Sequence, residues 1–127
     1  MEEQKFKVLV VDDDPGIVKV IGIILSTHGH EVIKAHNGNE GLELAGREKP
    51  DVILLDIMMP DIDGYEVIKR LKGNPDTAQI PVIFVTAKTT PDAIQQGRSL
   101  GAAAYIIKPF NPETLLEKIN EACKPTG

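Results

Sequence analysis

The sequence predicts an α/β fold, a single doubly wound (βα)5 domain built on a five-stranded parallel sheet, and three observations predict it. Short apolar runs alternate five times with segments of helical length, the runs are continuous and rich in β-branched residues, and the intervening segments carry recurrent start and stop residues. Parallel strands covered on both faces have no polar side to show, so unbroken apolar runs are what they require. Strict alternation implies right-handed crossovers with helices on both faces of the sheet. The length suits one domain over residues 1–127, with its core at about 5–124 and short tails at 1–4 and 125–127.

The first strand is read at residues 6–11. Asp14-Pro15 then supplies a capping side chain before a first-turn proline, and Ile17, Ile21, Ile24 and His28 form a helical stripe with Val18 and Leu25 beside it. Gly29 stops that helix, and a weaker run at 31–35 gives a strand near the sheet edge. A second helix near 39–47 ends before Lys49-Pro50, ahead of the most apolar strand at 52–55. A third helix stops at Gly73, where a positive φ is expected, and residues 80–85 form the fourth strand. Thr90-Pro91-Asp92 opens the fourth helix and Gly101 closes it; residues 103–107 make a second edge strand. Asn111-Pro112-Glu113 opens a fifth helix with Leu115, Leu116, Ile119, Ala122 and Cys123 on its apolar stripe.

Composition excludes several classes. No apolar run approaches the ~18 residues of a membrane span. The charged start Met1-Glu2-Glu3-Gln4-Lys5 does not read as a signal peptide, and Cys123, the lone cysteine, cannot form an internal disulfide. A cytoplasmic protein is expected. A net charge of -5 argues against a broad grip on nucleic acid. That charge is local: without Asp12, Asp13, Asp14, Asp56, Asp61 and Asp63 the chain's 19 acids fall to 13, against 14 bases.

In open parallel sheets, ligands bind beyond the carboxyl ends of the strands. Asp12 and Asp13 follow the first strand, Asp56 the third, Thr86 the fourth and Lys108 the fifth, so three carboxylates, a hydroxyl and an ammonium aim at one edge. Carboxylates at that range repel one another unless a cation is present, and Mg²⁺ takes one or two carboxylates while leaving room for water and phosphate oxygens. Asp14, beside Pro15, reads as a helix cap. Asp56 is the nucleophile of choice, since a carboxylate can attack phosphorus to form an acyl phosphate. Lys108 and Mg²⁺ then supply the positive charge, and Thr86 a hydroxyl for a phosphoryl oxygen.

The spaced set Asp12-Asp13, Asp56, Thr86 and Lys108-Pro109, with Met59-Pro60 and Asp63-Gly64 after Asp56, resembles the receiver domain of two-component response regulators over nearly the whole chain. The resemblance implies that Asp56 is the phosphoacceptor and that Asp13 binds Mg²⁺ directly. It gives Asp12 a hold on the metal largely through water, and Met58 a backbone carbonyl ligand. It also implies that Thr86 and Lys108 bind the phosphoryl group, that Thr86 and Tyr105 form the switch, that strand order is 2-1-3-4-5, and that Lys108-Pro109 is cis. The phosphodonor would be a sensor histidine kinase or histidine phosphotransfer protein. Output would pass to a downstream protein or fused domain through the face of the fourth helix, fifth strand and fifth helix, without direct contact to nucleic acid or membrane; a phosphorylation-dependent dimer is compatible with that face. The chain would be a signalling domain that catalyses its own phosphorylation and dephosphorylation rather than an enzyme acting on other substrates.

At Met58 a thioether offers little to orient an attacking water, so self-dephosphorylation is expected to be slow. Lys88 lies near the site, where it either pairs with phosphate or is solvated. Three rivals stand beside this reading. An aspartyl-phosphate hydrolase of the haloacid-dehalogenase type places a second acid two residues beyond its nucleophile, where this chain has Met58. A phosphorylation-independent interaction module would not need the acid, hydroxyl and lysine set. A dinucleotide or flavin module needs a glycine- or hydroxyl-rich phosphate cradle after the first strand, where this chain has Asp12-Asp13-Asp14-Pro15. The spacing of His28, His30 and His36 suits structural roles.

Overall fold

Each apolar run becomes a strand and each capped segment a helix. The computed structural model describes residues 5–123, so the tails expected at 1–4 and 125–127 lie outside the described residues. The elements run β1 (Lys7–Val11), α1 (Pro15–Thr27), β2 (Glu31–Ala35), α2 (Gly38–Glu48), β3 (Val52–Leu55), α3 (Gly64–Lys72), β4 (Val82–Thr86), α4 (Pro91–Ser99), β5 (Ala104–Ile107) and α5 (Pro112–Cys123). The strands pair in the order β2-β1-β3-β4-β5, all parallel, as the resemblance implied.

Two layers of side chains fill the space on either side of this sheet. On one face Leu9, Val11, Ile53, Leu55 and Phe84 pack with Val67, Ile68 and Leu71 of α3 and Ala45 of α2. On the other, Val8, Val10, Leu54, Ile83 and Val85 pack with Val18, Ile21 and Leu25 of α1 and Leu115 and Ile119 of α5. Alternate strand residues serve opposite cores, which is why the central runs are unbroken in sequence.

The capping residues act as their types require. Asp14 accepts from the amides of Gly16 and Ile17, Thr90 from Ala93, and Asn111 from Thr114. Two expectations need correction. The buried stripe of α1 is Val18, Ile21, Gly22 and Leu25; Ile17 and Ile24 are half-buried, and His28 is exposed as the helix cap. An all-round apolar helix does not reveal its inward face, and Val20 and Ile23 remain exposed. Gly73 has φ -81°, not a positive value. The chain makes a further turn there: Thr77 donates its hydroxyl to the carbonyl of Leu71 at 2.8 Å, so no left-handed residue is needed. The left-handed position falls instead on Lys49 (φ 47°), because Pro50 disfavours the helical region for the residue before it. Gly29 and Gly101 do adopt positive φ, at 85° and 97°.

Candidate functional site

The backbone ladder of the sheet runs one step past the strand ends and places the site residues in register. The amide of Asp12 donates to Ala35 at the end of β2, that of Asp56 to Val11 at the end of β1, and that of Lys108 to Thr86 at the end of β4. Residues 22 to 96 positions apart are thus fixed side by side by hydrogen bonds that do not depend on their side chains.

The carboxylates of Asp12, Asp13 and Asp56 converge, with one oxygen from each within 4.8 Å of the others. Asp12 and Asp56 are buried while Asp13 is exposed, which leaves the cluster open on one side. Lys108 reaches across them: its Nζ donates to Asp12 Oδ2 at 2.7 Å and to Asp56 Oδ2 at 3.4 Å. The Lys108-Pro109 bond is cis. The other oxygen of Asp56 accepts the amide of Ile57 at 2.8 Å, which fixes the side chain at its root. Buried Thr86 ends β4, and its hydroxyl accepts the amide of Lys88 at 3.3 Å.

Charge in this pocket is unbalanced. Burial is the largest influence on Asp12 and pushes its carboxyl above the ordinary 3.8; the Lys108 ammonium and the Asp14 amide pull it down, and the nearby Asp56 carboxylate adds to the rise. For Lys108, burial alone would lower the pKa, yet Asp12 and Asp56 outweigh it and hold the ammonium above its ordinary 10.5. The two directions agree physically, because one ammonium is divided between two carboxylates and cannot fully compensate the more buried of them. A hard divalent cation fits what remains: three carboxylate oxygens within mutual reach, one ammonium among them, and an open side for water or phosphate oxygens. Met58 follows two residues after Asp56 with its side chain exposed.

The structure divides the six clustered acids. Asp12, Asp13 and Asp56 face one another, whereas Asp14, Asp61 and Asp63 cap helices. Asp63 accepts the amide of Glu66 in α3 at 2.9 Å, and Asp61 grips α2 with both oxygens, from Gly38 at 3.0 Å and Asn39 at 2.8 Å. Sequence reasoning missed the Asp61 clamp, since nothing local connects residues 22 and 23 positions apart. It also left Gly64 without a role. A Cβ there would lie 2.5 Å from the carbonyl oxygen of Asp56, so only glycine lets α3 begin against the turn that carries Asp56. Gly64 returns its amide to Ile57 at 2.7 Å.

Tyr105 is half-buried on β5. Its ring packs on Phe84 with centroids 5.9 Å apart, and its hydroxyl donates to the carbonyl of Lys88 at 3.0 Å. That bond holds Tyr105 against the loop between β4 and α4. The histidines lie away from the pocket. His30 takes the amide of Phe6 and stacks on its ring, and His36 pairs with Glu40.

Comparison with known proteins gives the same fold and a family. Residues 8–120 match the family described as response regulator receiver domain. The chain is 43% identical to protein PilH of Pseudomonas aeruginosa over 114 residues, which cover 90% of this chain and 94% of PilH. It is 38% identical to the phosphate regulon transcriptional regulatory protein PhoB of the same species, covering 94% of this chain but 52% of PhoB, so it spans about half of that relative. The solved chemotaxis protein CheY4 of Vibrio cholerae superposes with a TM-score of 0.88 at 35% identity, over 94% of this chain and 99% of that one. Among the described residues, no helix is long and apolar enough to cross a membrane.

Proposed function

The chain belongs to the family of response regulator receiver domains, and from that premise we propose that Asp56 accepts a phosphoryl group in a Mg²⁺-dependent reaction and that the modification changes the face of α4, β5 and α5. The donor is a phosphohistidine on a sensor histidine kinase or a phosphotransfer protein in the cytoplasm, and the recipient of the changed face is a downstream protein or a fused output domain. The observation that carries this reading is the convergence of Asp12, Asp13 and Asp56 around the ammonium of Lys108 at the carboxyl end of the sheet.

Asp56 presents one oxygen to Ile57 and leaves the other beside Lys108, so its nucleophilic oxygen is aimed into the pocket. As the O–P bond forms, the P–N bond to the donor imidazole breaks and its electron pair stays with nitrogen. Lys108, positively charged and set between Asp12 and Asp56, meets the charge that develops on the phosphoryl oxygens. Thr86 donates its hydroxyl to the same group. When bound by Asp12, Asp13, Asp56 and the Met58 carbonyl, Mg²⁺ supplies charge neutralisation and orientation of the phosphoryl oxygens. The dianion that results draws on Thr86 and Lys108, and through the contact between Lys88 and Tyr105 it biases the loop that leads into α4.

Incubation with a small phosphodonor and Mg²⁺ tests the reading. The expected result is a mass increase of one phosphoryl group that is lost on hydroxylamine treatment and absent from Asp56→Asn; no acyl phosphate on the wild-type chain overturns it. The phosphoryl lifetime is expected to be minutes or longer, because the exposed thioether of Met58 holds no water for attack. A lifetime of seconds contradicts that part.

A further inference from the structure

Lys88 is the point where three residues of the switch region meet. Its amide donates to Thr86 Oγ1 at 3.3 Å and its carbonyl accepts the Tyr105 hydroxyl at 3.0 Å. Its ammonium lies 5.6 Å from the centre of the Tyr65 ring. Tyr65 is itself fixed: it is buried, packs edge-on against Phe84, and donates its hydroxyl to the carbonyl of Ala93 in α4. Lys88 also lines a cavity of about 480 Å³ with Asp13, Met58 and Asp63, on the open side of the carboxylate cluster.

Two properties of the pocket make this placement a resting position. The first is charge. Once Asp56 carries a phosphoryl dianion, the divalent cation and Lys108 stand against that dianion, Asp12 and Asp13, which leaves about one negative charge over. Lys88 is the cation that shares the cavity with this cluster. The second is relative strength. A cation held over a ring at an exposed site is weakly attached, and a dianion in a partly buried pocket attracts it more strongly.

We propose that Lys88 is a mobile second phosphoryl-binding cation, parked over the Tyr65 ring in the unphosphorylated protein and transferred to the phosphoryl group when Asp56 is modified. The proposal rests on the phosphoacceptor reading and adds to it the fate of a residue that sequence reasoning left open. Because the amide and carbonyl of Lys88 hold Thr86 and Tyr105, the movement of its side chain reports on the same loop that carries the switch.

NMR of the full chain with beryllofluoride and Mg²⁺, a mimic of the phosphorylated state, tests it. In the free protein the Lys88 ε-methylene resonance, identified by its loss in Lys88→Met, is expected upfield of the other lysines and to show NOEs to the Tyr65 ring. Both features should vanish at saturation. Lys88→Met should weaken beryllofluoride binding roughly fivefold at low salt, an effect that shrinks at high salt and is rescued by Lys88→Arg. Fluorine signals of the bound anion, absent in Asp56→Asn, establish saturation independently. A bound signal with the NOEs intact, or equal affinity in Lys88→Met, overturns the proposal alone; no bound signal at all overturns the phosphoacceptor reading and this proposal with it.

Discussion

Asp12, Asp13 and Asp56 face one another, while Asp14, Asp61 and Asp63 face the amino ends of helices, although all six come from two short stretches of chain. The same side chain is therefore a liability in one place and a support in the other. At Asp61 burial raises the pKa, but the surrounding backbone amides, those of Asn39 and Gly38 foremost, outweigh it and hold the carboxyl below the ordinary 3.8. At Asp12 burial prevails over Lys108 and the carboxyl rises. Acidity that costs stability without a ligand marks a binding site, and acidity satisfied by backbone amides marks architecture.

The largest test of this contrast is chemical. Asp56→Asn should abolish acyl phosphate formation completely, whereas Asp61→Asn should leave it within about twofold of wild type, since an amide oxygen still caps a helix. Radiolabel transfer from a small phosphodonor measures both, and equal losses would erase the distinction between pocket and cap.

Next in size is the effect of the metal. Asp13→Asn should weaken Mg²⁺ binding by at least about tenfold, as removal of one hard anionic ligand does. In metal-free buffer the same variant should be more stable than wild type by roughly 0.5–1 kcal/mol, because a like-charge repulsion is gone. Denaturant melts with and without Mg²⁺ show whether the sign reverses as it should.

Asp61→Ala should cost about 1 kcal/mol with or without Mg²⁺, the usual loss for a capping side chain. If its melt depends on metal as strongly as that of Asp13→Asn, the clamp belongs to the pocket after all.

The smallest effect is in pH. A depressed folded pKa means that Asp61 contributes stability above the unfolded value of 3.8, which is lost as pH falls through the folded value. A raised one means that Asp12 carries a penalty at neutral pH, which is relieved as pH falls through its folded value towards 3.8. The stability difference between wild type and Asp61→Ala should therefore shrink below about pH 4, while that between wild type and Asp12→Asn should move in favour of wild type on acidification.

The alternation of apolar runs and capped helices was legible in the chain, because periodicity and the chemistry of Asp14, Thr90 and Asn111 act within a few residues. So was the identity of the polar residues at the strand ends, since Asp12, Asp56, Thr86 and Lys108 each follow an apolar run directly. The inward face of α1 was not, because Val20 and Ile23 are as apolar as the residues that pack, and only the neighbouring sheet selects among them. Nor was the conformation at Gly73, which depends on a hydroxyl four residues later.

The sequence alone determined that three carboxylates, a hydroxyl and an ammonium would leave the same edge of a parallel sheet, for strand direction fixes which end of each run faces that edge. Tertiary structure decided the rest: that Lys108 is shared by Asp12 and Asp56, that Asp61 serves α2, that Gly64 admits α3 against the Asp56 carbonyl, and that Lys88 rests over Tyr65. Those are contacts across space between residues whose local sequence carries no trace of the partner, and only the packed sheet brings them within a few ångströms.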